Sequence, residues 1–285
     1  MTLFDPPEPD DGPDPEVDLT GEGDPEGEPE PVRVRMVVAY RGGGFHGFWP
    51  NEGVRTVGGT LIDALERVLG HPIEVSCAGR TDTGVHAHGQ VVSFDAPADG
   101  LDLGRLRHAV NRLCGPEVVV READEALPGF DARHDAVSRS YRYTIVNREV
   151  PDPFLATTAW HVAAPLDLRA MRQARDPLIG EHDFSSFCRR PRGEPEVSLR
   201  RRVLDARWHD LGDGVLRFDI EANAFCHQMV RSIVGTLADM GRGRLRAGDM
   251  TAVIRARDRQ AAGQPAPPHG LTLWAVAYGS PTGIR

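Results

Sequence analysis

Short runs with the two-residue alternation of half-buried strands recur along this chain at hairpin-like spacings. Helical runs interrupt them without the regular strand-helix-strand order of a parallel sheet. That pattern restricts the chain to an α+β fold with antiparallel or mixed sheets flanked by helices. Residues 33–40 read as a strand, 60–69 as a helix with Leu61, Ala64, Leu65 and Val68 on one face, and 74–77 and 90–94 as strands about a loop. A helix over 103–114 and a strand over 117–122 follow. A second round has a strand over 139–146, a helix over 168–178, a turn at 180–183, strands over 201–209 and 215–222, and a helix over 226–240. The repeated order predicts two similar α+β domains, residues 33–135 and 136–282.

Residues 1–32 stand outside this pattern. They alternate Pro, Gly, Asp and Glu with few large apolar side chains, and such a composition cannot bury enough surface to offset chain entropy, so a disordered acidic tail is predicted. The tail also hides the charge balance of the rest. The formal net charge is -9, but twelve carboxylates lie in the first 30 residues; outside them 33 basic residues face 30 acidic ones, a formal charge of about +3. A mildly basic remainder is compatible with a polyanionic partner.

All 33 basic residues are arginine. Arginine forks onto phosphate oxygens and stacks on bases, which suits nucleic-acid recognition. The lack of lysine excludes a Schiff-base lysine, a pyridoxal phosphate anchor and a Walker A lysine. No apolar run has membrane-spanning length, and the N-terminus lacks the basic flank and apolar stretch of a signal peptide, so a cytoplasmic protein without membrane contact is expected. Cys77, Cys114, Cys188 and Cys226 are scattered without a C-x-x-C pair and read as buried free thiols.

The chemistry concentrates in the loop Gly79-Arg80-Thr81-Asp82-Thr83-Gly84-Val85-His86 between two predicted strands. Small and flexible residues surround one carboxylate, Asp82, with the guanidinium of Arg80 two positions before it. An ionised, partly desolvated carboxylate beside a fixed positive charge is a competent nucleophile. Turn chemistry alone also explains an Asp next to Gly, so the loop by itself leaves both roles open.

This octapeptide resembles the signature of the TruA-type tRNA pseudouridine synthases. Two further segments agree in order and spacing: Ser138-Arg139-Ser140-Tyr141-Arg142-Tyr143, and the stretch Ala222-Asn223-Ala224-Phe225-Cys226-His227-Gln228-Met229-Val230-Arg231. The resemblance implies the pseudouridine synthase fold, with its active-site cleft between the two domains. It implies isomerisation of uridine to pseudouridine in the anticodon stem-loop of tRNA, at positions 38, 39 and 40, by a homodimer that clasps one tRNA with both subunits. It assigns Asp82 as nucleophile, Arg80 as its aid at the flipped nucleotide and Tyr141 as a contact to the target uridine; His86 and Phe225 are added as substrate-binding candidates, with loop packing and a helix core as their alternative readings. Arg231, amid apolar neighbours, needs a buried anion, and Asp82 is the candidate partner.

No cofactor is expected. The reaction breaks a glycosidic bond, rotates the uracil and rejoins it through carbon, so atoms and oxidation state are conserved. Attack at C1′ and formation of a glycal both remain open as routes, with Tyr141 packing on the base and holding or taking a proton. The uridine must leave its stack to be reached.

One segment departs from the family. Its members carry Tyr-Asp-Gly, then Gly-Trp-Gln and Ser-Val-Gln, where this chain has Tyr40-Arg41-Gly42, Gly47-Phe48-Trp49-Pro50 and Thr56-Val57-Gly58-Gly59. The departure bears on RNA positioning, in which Arg41 and Trp49 would offer phosphate and stacking contacts. A second basic cluster, Arg189, Arg190, Arg192 and Arg200 to Arg202, is a further candidate contact for the RNA backbone, opposed within it only by Glu194 and Glu196.

Three rival readings are weaker. Asp82-Thr83-Gly84 also matches the aspartic protease triplet, but that chemistry needs one aspartate neutral and Arg80 opposes this. A metal site from His86, His88, Cys226 and His227 has no supporting carboxylate pattern. A non-catalytic RNA-binding module would lack the nucleophile.

Overall fold

The computed structural model describes residues 30–190 and 197–279. The acidic tail falls outside these residues up to position 29, as do Arg192, Glu194 and Glu196 of the basic cluster.

The first half contains β1 (Val32–Tyr40), α1 (Val57–Leu69), β2 (Ser76–Cys77), β3 (His86–Ala96), α2 (Leu103–Cys114) and β4 (Val118–Glu125). The second contains β5 (Ala136–Val146), β6 (Trp160–His161), α3 (Leu168–Arg175), β7 (Gly180–Asp183), β8 (Arg200–Asp210), β9 (Val215–Ala222), α4 (Met229–Gly241), α5 (Met250–Ala256) and β10 (Leu271–Tyr278). The α+β expectation holds, and so does the mixed sheet with flanking helices.

Both halves contribute to one sheet. Its order is β4-β1-β3-β10-β5-β9-β8-β7, with β2 added on β3 and β6 on β5. Strands β3 and β5 do not pair directly, because β10, from the C-terminal end of the second half, lies between them. It runs parallel to β3, with Thr272 opposite His86, and antiparallel to β5, with Leu273 opposite Tyr141. That register brings the end of the Asp82 loop beside the tyrosine strand.

The alternation read from sequence is the burial pattern of the sheet. In β9, Leu216, Phe218, Ile220 and Ala222 are buried, with partly exposed residues between them. Helices α1, α2 and α3 begin at side-chain caps that satisfy free N–H groups: Thr56 accepts from Gly59, Asp102 from Arg105, and Asp167 from Arg169 and Ala170. The apolar face of α1, Leu61 with Ala64 and Leu65, is buried in the common core with Met36, Val92 and Phe94. In the second half α4 is enclosed on nearly all sides, since Ser232 and Thr236 are buried along with Ile233, Val234 and Leu237.

Local readings changed in four places. Residues 180–183 form an edge strand on β8 instead of a turn, entered through Gly180 at φ 105°, where a side chain would be strained. The helix over 168–178 ends at Arg175 and gives way to one 3-10 turn at Asp176–Leu178. The last long helix starts at Met229, because Gln228 takes φ 64° and ψ 5° and cannot be helical. The cysteines are not all free: Cys188 and Cys226 are joined in a disulfide, while Cys77 and Cys114 are free and buried. The fold closes the 38-residue separation where Arg189 donates its N–H to the His227 carbonyl at 3.0 Å, a proximity that the spacing did not reveal.

Candidate active site

The Asp82 loop leaves β2 and enters β3 through a four-residue turn. Val85 donates its N–H to the Asp82 carbonyl at 3.1 Å, and Gly84 supplies the left-handed φ of 79° that the turn requires. Upstream, the buried Gln90 side chain takes both backbone polar groups of one residue, Gly79. Its amide donates to Gly79 O at 2.5 Å and its oxygen accepts from Gly79 N at 3.2 Å. Thr81 is fixed by the Tyr40 hydroxyl at 2.7 Å, and its carbonyl accepts from Phe48 N at 3.1 Å. A loop so fully hydrogen-bonded has little freedom to move its one carboxylate.

Asp82 opens into a cavity of about 1080 Å³ lined from both halves of the chain, by residues such as Trp49, Arg80, Tyr141, Phe225, His227 and Arg231. Arg231 of α4 donates to Asp82 Oδ2 at 3.2 Å. The guanidinium is itself held, as its Nε donates to the Ala266 carbonyl at 2.7 Å. The pairing of Arg231 with Asp82 expected from the apolar surroundings is therefore present. Arg80, in contrast, is not the charge against Asp82. Its guanidinium lies over the Trp49 ring, 4.7 Å from the centroid, at the wall of the same cavity.

Tyr141 projects from β5 beside Asp82 and is only 7% exposed. Phe225 meets its ring edge-on, with centroids 4.9 Å apart. Burial first, and then the charge of Asp82, raise the Tyr141 phenol well above the ordinary tyrosine range. The hydroxyl thus keeps its proton at neutral pH. A phenol that holds its proton beside the base can pack on it and donate to it.

His86 does not reach the cavity. It is buried, its Nδ1 accepts from Gly42 N at 3.0 Å, and its Nε2 lies 3.1 Å from the carbonyls of both Thr157 and His269. Burial lowers its pKa and keeps the ring neutral. The expectation of a substrate contact is corrected: the hydrogen-bond capacity of the ring is spent on backbone. His88 stacks on Trp274 at 4.0 Å, away from Cys226, so the histidines and cysteine of the rival metal site do not converge.

Arg139 escaped notice within its motif. It donates to the carbonyls of Ala78, Arg133, Ala136 and Asn223 at 2.7–3.1 Å, and so ties the Asp82 loop to the segment before α4. An arginine within an alternating strand, two residues before Tyr141, was the available signal. His227 was considered only as a metal ligand, yet its Nε2 lies 3.4 Å from Asp82 Oδ1. In the basic cluster, Arg189 and Arg201 line the cavity, while Arg200 pairs with Glu181 at 2.9 Å. In the divergent segment Trp49 is 44% exposed, and Arg41 donates to the Thr157 hydroxyl. Among the described residues no helix is long and apolar enough to cross a membrane.

The family model for tRNA pseudouridine synthases matches residues 174–279. The tRNA pseudouridine synthase A of Brevibacillus brevis is 41% identical over 247 residues, which cover 86% of this chain and 99% of that protein. The protein of the same name from Methylobacterium sp. is 42% identical over 254 residues, 87% of this chain and 98% of its own length. That of Bacillus subtilis is 38% identical over 254 residues, with 87% and 99% covered. With such identity carried across both halves of the sheet, the chain belongs to the tRNA pseudouridine synthase A family.

Proposed function

We propose that this protein isomerises uridine to pseudouridine in the anticodon stem-loop of tRNA, at positions 38, 39 and 40, with Asp82 as nucleophile and no cofactor. The carrying observation is the Asp82 carboxylate, held by Arg231 at 3.2 Å in a cavity it shares with Tyr141 and Phe225. The cavity exceeds the size of one nucleoside and is bordered by Arg80, Arg189 and Arg201, which suit the phosphates of a flipped nucleotide and its neighbours.

The chemistry fits this residue set. The bond from C1′ to N1 breaks, the uracil turns, and C1′ bonds to C5; the C5 proton leaves and N1 gains one, so composition is unchanged. Asp82 attacks C1′ or removes the proton from C2′, Arg231 keeps its charge compensated throughout, and the protonated Tyr141 packs on the base and donates to it. Arg80 leaves the Trp49 face to occupy the place of the departed nucleotide. The halves 33–135 and 136–282 act as two units that grip the RNA between them. A cytoplasmic homodimer follows the same family pattern, and light scattering of the purified protein tests the dimer.

Asp82→Asn preserves shape and removes the nucleophile, and we expect pseudouridine formation to fall by about 10⁴-fold or more with the melting temperature nearly unchanged. Turnover near wild type defeats the mechanism. Carbodiimide-stop mapping of unmodified tRNA after incubation tests the site choice, and modification outside the anticodon arm defeats that part alone.

A further inference from the structure

Asp82 has two oxygens and only one is accounted for by Arg231. The other, Oδ1, faces His227, whose Nε2 lies at 3.4 Å. This distance is at the long end for a hydrogen bond, as contacts that tighten when substrate enters often are. The His227 ring is 46% exposed and lines the cavity, so its position does not follow from packing in the core.

The backbone around His227 is held at unusual cost. Gln228, the next residue, has φ 64°, one of three non-glycine residues with positive φ among those described, and such a conformation costs about 1 kcal/mol or more. Cys226, the previous residue, is bonded to Cys188. The His227 carbonyl accepts from Arg189 N at 3.0 Å. Were the helix to begin at Cys226, as its apolar spacing suggests, residue 227 would be helical and its side chain would follow the helix face. The left-handed turn at Gln228 breaks that course, and the imidazole lies against the carboxylate instead.

We propose that His227 is a positioning residue for Asp82: its imidazole holds Oδ1 while Arg231 holds Oδ2, and together they fix the plane of the carboxylate. With one donor on one oxygen, a carboxylate still swings about its last bond. With a donor on each, it presents a single orientation to C1′ or C2′, and misplacement of a reacting group by about 1 Å costs on the order of 100-fold in rate. This role rests on the pseudouridine synthase reading.

The experiment uses the full-length protein and tRNA transcripts carrying tritium on uridine C5, whose release reports the reaction. In single turnover His227→Ala lowers the rate constant about 10- to 100-fold with tRNA affinity changed less than about twofold, and melting confirms that it folds. His227→Gln, whose amide nitrogen falls near the site of Nε2, recovers to within about fivefold of wild type. Without RNA, the ¹⁵N signal of the His227 ring shifts in Asp82→Asn.

A rate within about threefold of wild type in His227→Ala overturns the role, as does a loss confined to affinity, which would make His227 an RNA contact. His227→Gln as slow as His227→Ala overturns it too, and so does a ring signal indifferent to Asp82→Asn. A wild-type protein that releases no tritium fails at the earlier step and overturns the activity itself, a result distinct from an active enzyme unmoved by the loss of His227.

Discussion

The two walls of the cavity are built in different ways. The loop at 78–84 is held mainly by hydrogen bonds from neutral buried groups, Gln90 to the N–H and carbonyl of Gly79 and Tyr40 to Thr81, and shares the guanidinium of Arg139 with the opposite wall through the Ala78 carbonyl. The segment at 223–229 is held instead by a disulfide, a left-handed glutamine and the guanidinium of Arg139 on the Asn223 carbonyl. The first wall carries the group that reacts and the second carries those that attend it. The contrast teaches that precision at a reacting atom is obtained by satisfying every polar group around it, whereas strain is tolerated where a helper must be aimed across from another part of the chain.

Breaking both walls at once gives the largest effect on the fold. Arg139→Met leaves four carbonyls without their donor, and we expect about 3 kcal/mol of lost stability, a fall of roughly 6–12 °C in melting temperature, together with loss of turnover. Calorimetry and tritium release measure the two. The hydrogen-bonded wall alone is tested by Gln90→Leu, which leaves the N–H and carbonyl of Gly79 without their partner at a cost of about 2 kcal/mol. Its turnover number should fall further than its tRNA affinity, because the loop that loosens carries Asp82.

His86, at the start of β3, spends its ring on the backbone of Gly42, Thr157 and His269 and makes the fold acid-sensitive. Its pKa is lowered by burial, so below about pH 6.5 the unfolded chain binds a proton that the folded chain refuses. Stability is unaffected above that pH and falls as pH drops below it, with a slope of up to about 1.4 kcal/mol per unit. In His86→Asn this contribution to the slope vanishes, while a fixed loss of stability appears at every pH; denaturant titrations from pH 5 to 8 separate the two. The strained wall gives the smallest effect. Gln228→Gly relieves the left-handed conformation but frees the unfolded chain, so stability changes by no more than about 1 kcal/mol, upward if relief prevails, and turnover drops a few-fold as residue 227 loosens.

Much of this was legible in the chain. Alternation and helical spacing found most of the elements, because half-buried strands and amphipathic helices display their buried faces directly. The octapeptide around Asp82 located the reactive carboxylate, and the isolated charge of Arg231 among apolar neighbours named its partner. Neither Arg80 nor His86 pairs with Asp82, for a common reason. Proximity in sequence to Asp82 says nothing about direction, and the one turned to Trp49 while the other turned inward onto backbone. The pairing of Cys188 with Cys226, the strand at 180–183 and the approach of His227 depend on long-range register, which local pattern does not carry.

The placement of β10 has a consequence for how the protein comes into being. Strands β3 and β5 are synthesised early, yet neither finds its central partner until residues 271–278 have emerged, with Thr272 reaching back to His86. Until then each half exposes an unpaired sheet edge, and Tyr141 and the end of the Asp82 loop have no strand between them to set their register. Such distant pairing is slow to form and leaves edges open to wrong partners. On the ribosome, therefore, the protein should become resistant to protease and able to bind tRNA together and late, when the strand joining its halves is released.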